Sequence, residues 1–331
     1  MKNQFLVDIV YLWCDGKDPQ FLERKRKYQR KDSKKENFLS TGDIRFFDND
    51  ELKYSLRSLE KCAPWINHIF IVTDRQFPKW LNLNNAKITI IDHSQILPSS
   101  IIPCFNSSVI ERYIGFIPNL EEHFLYANDD TFFGESLNKE FFFFDGKPIV
   151  RVINYNKDNG IYRAEDLPRI KEQSSFWGKS VINSWELLFS KYNIKRTQLF
   201  ETHHNIDAFT KKAYCDCFFR YQEILDYSIN RFRDVKDYQR VLFSMDSVYQ
   251  KTSVIKILPQ YSRFRKYLFW LKKLDLDSYY IQDKLKSLLA LKFIHPKLFC
   301  INNSDEINFR DKQYEREFLE NRFPEKSSFE L

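Results

Sequence analysis

The stretch His123-Phe-Leu-Tyr-Ala-Asn-Asp-Asp-Thr-Phe-Phe133 decides how the rest of the chain is interpreted. Phe124 to Ala127 is a short apolar run that predicts a buried strand, and it stops at Asn128-Asp-Asp130. Two adjacent carboxylates between apolar flanks are costly to bury unless they are paired or bound to a cation. A polar turn is the plainer interpretation of an isolated Asn-Asp-Asp. At the carboxyl end of a strand, however, these residues would lie where open α/β sheets bind ligands.

Three earlier apolar runs also end in a carboxylate, and they favour the second interpretation. They are Val7 to Trp13 before Asp15, Ile69 to Thr73 before Asp74, and Ile88 to Ile91 before Asp92. Helical spacings alternate with these runs, which is typical of an α/β fold. We therefore predict one sheet flanked by helices, with a single acidic rim, over residues 1–153. Residues 154–331 are predicted to form a mainly helical part that packs on this core as one catalytic unit.

Composition and charge limit the classes of molecule that the protein is expected to bind. The 331 residues are 43% hydrophobic and 17% aromatic, which indicates a substantial core and argues against disorder. A net charge of +7 suits an anionic partner such as a nucleotide or a phosphorylated sugar. The 45 acidic residues interspersed with 52 basic ones are not the profile of a dedicated nucleic-acid binder. With only 7 glycines and no P-loop, phosphate would have to be held by arginines, helix ends and metal.

Targeting signals are absent from the sequence pattern, so we expect a cytoplasmic protein. The N-terminal apolar run is interrupted by Asp8, and no run approaches the roughly 20 apolar residues of a membrane span. The six scattered cysteines are expected to be reduced thiols. The basic, aromatic segment Arg263 to Leu274 predicts either a packed surface helix or a peripheral contact with the inner face of the plasma membrane.

The segment from Arg45 to Leu59 is the best candidate for binding a phosphate. Asp48 or Asn49 can cap a helix there, and a helix N-terminus near the sheet rim would favour an anion. Arg45 and Arg57 are candidate clamps, because guanidinium groups match phosphate oxygens. The plainer alternative is a well-capped amphipathic helix.

Two adjacent histidines, His203 and His204, leave three possibilities open. They could be metal ligands, although their spacing alone is a weak signal. One of them could be a base for proton transfer, since a near-neutral pKa suits that task. The third possibility is a structural cap before the helix predicted from about Ile206 to Tyr227.

Taken together, four blocks of sequence resemble the Stealth proteins. These are sugar-1-phosphate transferases of bacterial capsules and exopolysaccharides, related to the lysosomal-enzyme N-acetylglucosamine-1-phosphotransferase of animals. The blocks are Asp8 to Pro19, Arg45 to Phe133, His204 to Lys211 with Phe232-Arg233 beyond it, and Phe299 to Asn302 with Phe323 to Glu330. The chain departs from the family at Asn303, where the family usually has Asp.

The resemblance implies a nucleotide-sugar-binding sheet of glycosyltransferase-A-like or Rossmann-like type. It also implies a reaction in which a hexose-1-phosphate, such as an N-acetylhexosamine-1-phosphate, is transferred from a UDP-sugar, for example UDP-GlcNAc. The acceptor would be a hydroxyl of a growing glycan or lipid-linked repeat unit, UMP would leave, and Mg²⁺ or Mn²⁺ would be required.

On this basis we assign site residues. Asp129 and Asp130 are the metal ligands, and the catalytic residues are Asp130, His204 as general base and Arg233. The predicted substrate-binding residues are Asp15, Gly16, Arg45, Asp48, Asn49, Asp50, Glu51, Arg57, Asn106 and Asn302. Two alternatives remain: a conventional metal-dependent glycosyltransferase that releases UDP, and a non-catalytic carbohydrate-binding protein. The acid pair together with a base argues against the second.

Overall fold

The structure is a computed structural model that describes residues 5–29, 42, 46–155, 160–259, 277–282, 288, 291, 295–302 and 309–331. Two predictions fall outside the described residues: Arg45 as a phosphate clamp, and the membrane-contacting segment 263–274. No helix among the described residues is long and apolar enough to cross a bilayer.

A central sheet of five strands organises the fold. Its parallel strands are β1 (Val7–Leu12), β2 (Ile69–Thr73), β3 (Ile88–Asp92) and β4 (His123–Asn128). β11 (Asp207–Thr210) pairs with β4 in the antiparallel sense, so the strand order is β11-β4-β1-β2-β3. The predicted α/β class, with a parallel sheet flanked by helices, is confirmed.

Both faces of this sheet are buried, as the near-continuous apolar strands require. In β1 and β4, Val10 and Tyr126 face one hydrophobic cluster, whereas Ile9 and Leu125 face the other. Because successive side chains of a strand point to opposite faces, covering both faces holds the register of β1 and β4 fixed. The carboxyl ends of these two strands are therefore held at one edge of the sheet.

The remaining strands form smaller sheets around this core. β5 (Thr131–Phe133) pairs with β14 (Leu298–Asn302), which pairs with β13 (Ser278–Gln282). β7 (Lys147–Asn154) pairs with β6 (Phe143–Phe144), β10 (Phe200–Thr202) and β12 (Val254–Ile257). β8 (Ile161–Tyr162) pairs with β9 (Thr197–Gln198). Strands from both sequence halves thus share sheets; the boundary at 153 itself stays a prediction.

Eight α-helices lie within the described residues: α1 (Pro19–Tyr28), α2 (Glu51–Cys62), α3 (Ser107–Arg112), α4 (Leu167–Gln173), α5 (Phe176–Tyr192), α6 (Lys211–Tyr227), α7 (Val241–Tyr249) and α8 (Phe309–Arg322).

Two predicted helix boundaries are wrong, each for a local reason. The helix expected from Ile206 begins only at Lys211, because the residues before it pair with the edge of β4 as β11. Helix α2 is preceded by Asp50 in the left-handed region (φ 66°), not by an Asp48 or Asn49 cap, and the Asp50 side chain makes no capping hydrogen bond.

The last residues of the chain are anchored to α2 through Arg57. Its Nε and Nη2 each donate to the Glu330 carboxylate over 2.8 Å, and its Nη1 donates to the Phe323 carbonyl over 2.8 Å. Both charged side chains are almost fully buried, at 4% and 2% exposed. The guanidinium predicted to clamp a phosphate therefore holds the C-terminal segment in place.

We expect Arg57→Ala to lower the free energy of unfolding by about 3–5 kcal/mol, because it leaves the Glu330 carboxylate buried without its partner. Urea unfolding would measure this loss. The matched control is Arg163→Ala, which breaks a pair with Glu165 whose side chains are 67% and 72% exposed; it should cost at most about 1 kcal/mol. Equal effects of the two variants would contradict the anchor role.

Candidate active site

A cluster of carboxyl groups gathers at the carboxyl end of β4. Asp129 and Asp130 form the turn between β4 and β5, which is closed by a hydrogen bond from Thr131 Oγ1 to the Asn128 carbonyl over 2.6 Å. Glu51 approaches from the first turn of α2, together with Asp48 just before that helix, and both bear electrostatically on Asp129. The predicted acid pair is thus one part of a larger acidic cluster.

The carboxyl groups of this cluster oppose one another's ionisation. Burial raises the pKa of Asp129 well above its ordinary value, and the charges of Asp130 and Glu51 raise it further. Burial, followed by the charge of Glu51, raises the pKa of Asp48 to about 7. Burial also raises the pKa of Glu51, against the lowering effect of Lys312, whose Nζ lies 3.5 Å from Glu51 Oε1.

These residues fit a divalent cation. Asp130 Oδ1 is buried and has no hydrogen-bond partner among the described residues. Carboxylate oxygens are the ligands that Mg²⁺ and Mn²⁺ prefer, and a bound cation would relieve the mutual repulsion of the cluster. The chemistry of Asp129 and Asp130, with the charges of Glu51 and Asp48 acting on Asp129, therefore fits such a cation, and the Mg²⁺ or Mn²⁺ expected from the sequence stays a prediction.

The raised pKa of Asp48 predicts how the stability of the chelator-treated protein varies with pH. An acid with a raised folded-state pKa destabilises the fold once ionised. For Asp48 this cost is absent below its unfolded pKa near 4, grows as the pH rises, and is complete above about 7. Asp48→Asn should therefore stabilise the protein by roughly 2–4 kcal/mol at pH 8 and by almost nothing at pH 4.

Chemical unfolding at both pH values would measure this difference. The exposed turn residue Asp145 provides the control, because Asn tolerates its left-handed conformation (φ 49°) and Asp145→Asn should show no such pH-dependent gain. A gain for Asp48→Asn that is the same at pH 4 and pH 8 would contradict electrostatic strain in the cluster.

His204 lies beside this cluster, whereas His203 belongs to the scaffold. His204 Nε2 is 3.8 Å from Asp130 Oδ2 and 3.3 Å from Asn128 Nδ2, and its side chain is 39% exposed. His203 Nδ1 instead contacts Ser278 Oγ over 2.8 Å, and burial lowers the pKa of His203 to about 4. The two imidazoles therefore have different environments, and His204 is the one placed to exchange a proton with a ligand at the acid cluster.

The side-chain amide of Asn128, which contacts His204, is held by a buried network of polar side chains. The Tyr126 hydroxyl lies 2.9 Å from Asn128 Oδ1 and 3.1 Å from Glu111 Oε1. Glu111 Oε1 in turn lies 3.1 Å from Arg240 Nη1. This network fixes the side chain of Asn128 from within the core, and so helps to orient the imidazole of His204.

Arg233 and Asn106 are neighbours in the structure, but their surroundings differ. Arg233 Nη2 donates to Ser107 Oγ over 2.7 Å, while its Nε is buried with no partner among the described residues. Burial lowers the pKa of Arg233, and the nearby Glu111 carboxylate opposes that effect. Asn106 is fully buried, accepts from Ser108 N and donates to the Asp237 carboxylate. Asn106 thus holds the loop that carries Arg233. Because its side chain is buried, it has no surface available for contact with a nucleotide sugar.

Asn49 and Asp50 are also occupied by protein contacts. Asn49 Nδ2 donates to the Lys312 carbonyl over 3.1 Å, and Arg316 Nη2 donates to Asn49 Oδ1 over 3.0 Å. Arg316 Nη2 also lies 3.5 Å from Asp50 Oδ2. These two residues therefore fasten α8 beside the acidic cluster.

Asp15 and Gly16 are held against the residues just before Asp48. Gly16 N donates to the Phe46 carbonyl over 2.7 Å, and a Cβ at Gly16 would lie only 2.1 Å from that oxygen. Only glycine permits this approach. Asp15 itself adds to the negative field at Asp48. Asn302 ends β14, the strand that pairs with β5 directly after Asp130.

The parallel strands end at one edge of the sheet, as the predicted acidic rim requires, but the carboxylates after β2 and β3 do not join the cluster. Asp74 is paired with Arg24, whose Nε lies 2.9 Å from Asp74 Oδ2. Asp92 accepts from the backbone amides of Ser94 and Arg75 and so caps its own turn. These two carboxylates are already satisfied by protein groups, and the cluster draws its other members from the start of α2 and the residues just before it.

Two residues that sequence reasoning did not assign to the site lie in it. Lys312 reaches Glu51 from α8, and its position could not have been inferred, because α8 is more than 250 residues from Glu51 and has no clear apolar face. Cys300 lies in β14 with its sulfur close to Asp130 and His204. The resemblance of Phe299-Cys-Ile-Asn302 to the Stealth proteins indicated that this stretch is important, but it did not show which way the thiol points.

The fold and site define an α/β protein with an acidic, cation-suited cluster and a histidine at the carboxyl edge of a parallel sheet. Residues 45–150 match the family model described as Stealth protein CR2, conserved region 2, which includes most of this cluster. Over this region the chain is similar to the Stealth family.

Relatives with curated descriptions agree with this placement. The chain is 41% identical over 143 residues to a capsular polysaccharide phosphotransferase of Haemophilus influenzae and 44% over 142 residues to one of Neisseria meningitidis, 43% of this chain in each case. It is 36% identical over 185 residues, 56% of this chain, to an exopolysaccharide phosphotransferase of Lactiplantibacillus plantarum. The matched segments span 39%, 38% and 52% of these relatives, so the chain matches about half of their length or less.

A solved structure, the inositol-1-phosphate CTP transferase from T. maritima, aligns with 99% of this chain and 100% of its own. The sequence identity is 11% and the TM-score 0.41, and a likeness this distant carries no conclusion about function.

Proposed function

We propose that the chain is a phosphotransferase that moves a hexose-1-phosphate from a nucleotide sugar to a glycan hydroxyl during capsular or exopolysaccharide synthesis. The observation that carries the proposal is the placement of the His204 imidazole 3.8 Å from Asp130 within a cluster suited to a divalent cation. A base for the acceptor and a site for the anionic donor are thus within reach of one another. The relatives' descriptions as polysaccharide phosphotransferases support the same reaction class.

The proposed chemistry divides among a few side chains. The acceptor oxygen forms a bond to the sugar-attached phosphorus, the bond from that phosphorus to the bridging oxygen breaks, and the nucleoside monophosphate leaves with the bridging oxygen. His204 takes the acceptor proton. A divalent cation held by Asp129 and Asp130 would neutralise charge on the phosphoryl oxygens. Arg233, whose Nε has no protein partner among the described residues, supplies a donor to the same oxygens after a local movement of its loop.

The finer assignments are part of this proposal. We take the donor to be a UDP-sugar such as UDP-GlcNAc, the cation Mg²⁺ or Mn²⁺, and the acceptor a growing polysaccharide or a lipid-linked repeat unit at the cytoplasmic face of the membrane. The net charge of +7 suits both an anionic donor and an anionic surface.

The test uses a UDP-sugar labelled with ³²P on the sugar-attached phosphate. A phosphotransferase should deliver the label to the glycan and form UMP as the nucleotide product. A conventional glycosyltransferase breaks the bond between the anomeric carbon and oxygen, so the label would leave with UDP. Label in UDP would overturn the proposal, and label-free glycan with no nucleotide released from any sugar donor would favour a binding protein.

A further inference from the structure

We propose that the active site also binds a thiophilic divalent cation such as Zn²⁺, through Asp130, His204 and the Cys300 thiolate. One ligand atom from each of these residues lies within 4.8 Å of the other two. Within the part of the chain that the structure describes, no other such group of His, Cys and acidic side chains occurs.

The spacing suits a tetrahedral ion after small side-chain movements. Zinc bonds to nitrogen, oxygen and sulfur of about 2.0–2.3 Å place any two ligands of a tetrahedral ion roughly 3.3–3.8 Å apart. His204 Nε2 and Asp130 Oδ2 are already 3.8 Å apart. Three protein ligands would leave the fourth position to water.

Backbone pairing holds the thiol against the acid. Cys300 pairs with Thr131 between β14 and β5, and the Ile301 amide donates to the Asp130 carbonyl over 3.0 Å. The charge of the Asp130 carboxylate acts on the Cys300 thiol, which is buried beside it. Cys300 is fully buried, whereas Asp130 and His204 have side chains 15% and 39% exposed. An ion can therefore enter between the acid and the imidazole and meet the sulfur behind them.

This site differs in chemistry from the proposed magnesium site. Thiolate and imidazole select soft or borderline ions such as Zn²⁺, whereas Mg²⁺ prefers oxygen ligands. On binding, the metal–sulfur bond replaces the S–H bond and one proton passes to the buffer. The two sites share Asp130, so one ion would hinder the other. If the proposed function is right, zinc also occupies the imidazole nitrogen that His204 needs as a base, and it would inhibit transfer.

Cobalt(II) is the probe, because a bound thiolate gives a charge-transfer absorption and four-coordination gives strong visible bands. We expect one Co²⁺ per folded chain with a thiolate band, and bleaching of that band by one equivalent of Zn²⁺. Cys300→Ser should abolish the band, with Cys300→Ala as a second variant and circular dichroism as the check on folding. His204→Gln, at a partly exposed position, should weaken binding at least tenfold.

Cys217→Ser is the matched control, because Cys217 is also buried and feels the charge of a carboxylate, Asp246, but does not belong to the cluster. Its band should equal that of the unaltered protein. Absence of a thiolate band in the folded, unaltered chain, or a band that survives in folded Cys300→Ser, would overturn the proposal. Binding is measured without turnover, so a failure of the phosphotransferase assignment would leave this result unaffected.

Discussion

Asp130→Asn should reduce transfer by about 10³-fold or more while the protein stays folded. The substitution keeps the volume of the side chain but removes the negative charge that the cation needs, and electrostatic stabilisation is the largest contribution to phosphoryl transfer. Asp129→Asn should have a comparable effect. Initial rates at saturating donor and Mg²⁺ measure the loss, and Asp145→Asn, at the exposed turn between β6 and β7, serves as the charge-matched control.

The stability of the same variants separates catalysis from folding. The negative charge of ionised Asp129 is unfavourable in the folded protein, since burial and the adjacent carboxylates raise its pKa well above the ordinary value. Removing that charge should therefore leave the melting temperature of the chelator-treated protein unchanged or higher at pH 8. Added Mg²⁺ should raise the melting temperature of the unaltered protein more than that of either variant. Near-normal turnover of folded Asp130→Asn would remove Asp130 from the metal site.

The central sheet could be predicted from sequence because its strands carry their own signals. Each parallel strand is a short run of β-branched and aromatic residues, buried on both faces, and each ends at a turn with a polar residue. β11 carried no such signal. Its four residues, Asp207 to Thr210, become a strand only because β4 presents an open edge there. Tertiary pairing decided that element, and the sequence pattern alone favoured a helix.

The candidate site was predictable in part, for a related reason. Asp129, Asp130 and Glu51 follow from local patterns: the end of a strand and the start of a helix. The contacts of Arg57 and Asn49 do not follow from local patterns. Each of these residues binds a partner in the C-terminal segment that is more than 250 residues further along the chain. A single sequence shows that an arginine could hold an anion, but it does not show that Glu330 is the anion it holds.

His204→Ala should lower kcat by roughly 10²–10⁴-fold and change the KM for the donor by only a few-fold. A base acts on the acceptor proton in the transition state, so its loss affects turnover more than donor binding. His203→Ala is the matched control, because the neighbouring imidazole contacts Ser278 and is kept neutral by a pKa near 4. It should be much milder. Steady-state kinetics with varied donor and acceptor would measure both variants.

The contacts of the His204 imidazole allow a second, weaker variant to test its role as a base. Its Nε2 contacts Asn128, which the Tyr126 hydroxyl holds from the core, so the ring has a defined orientation before any ligand binds. Asn128→Ala should therefore lower kcat by less than His204→Ala, because it loosens the base without removing it. If His204→Ala raised the donor KM as strongly as it lowered kcat, the imidazole would be binding the donor, and another group would have to accept the acceptor proton.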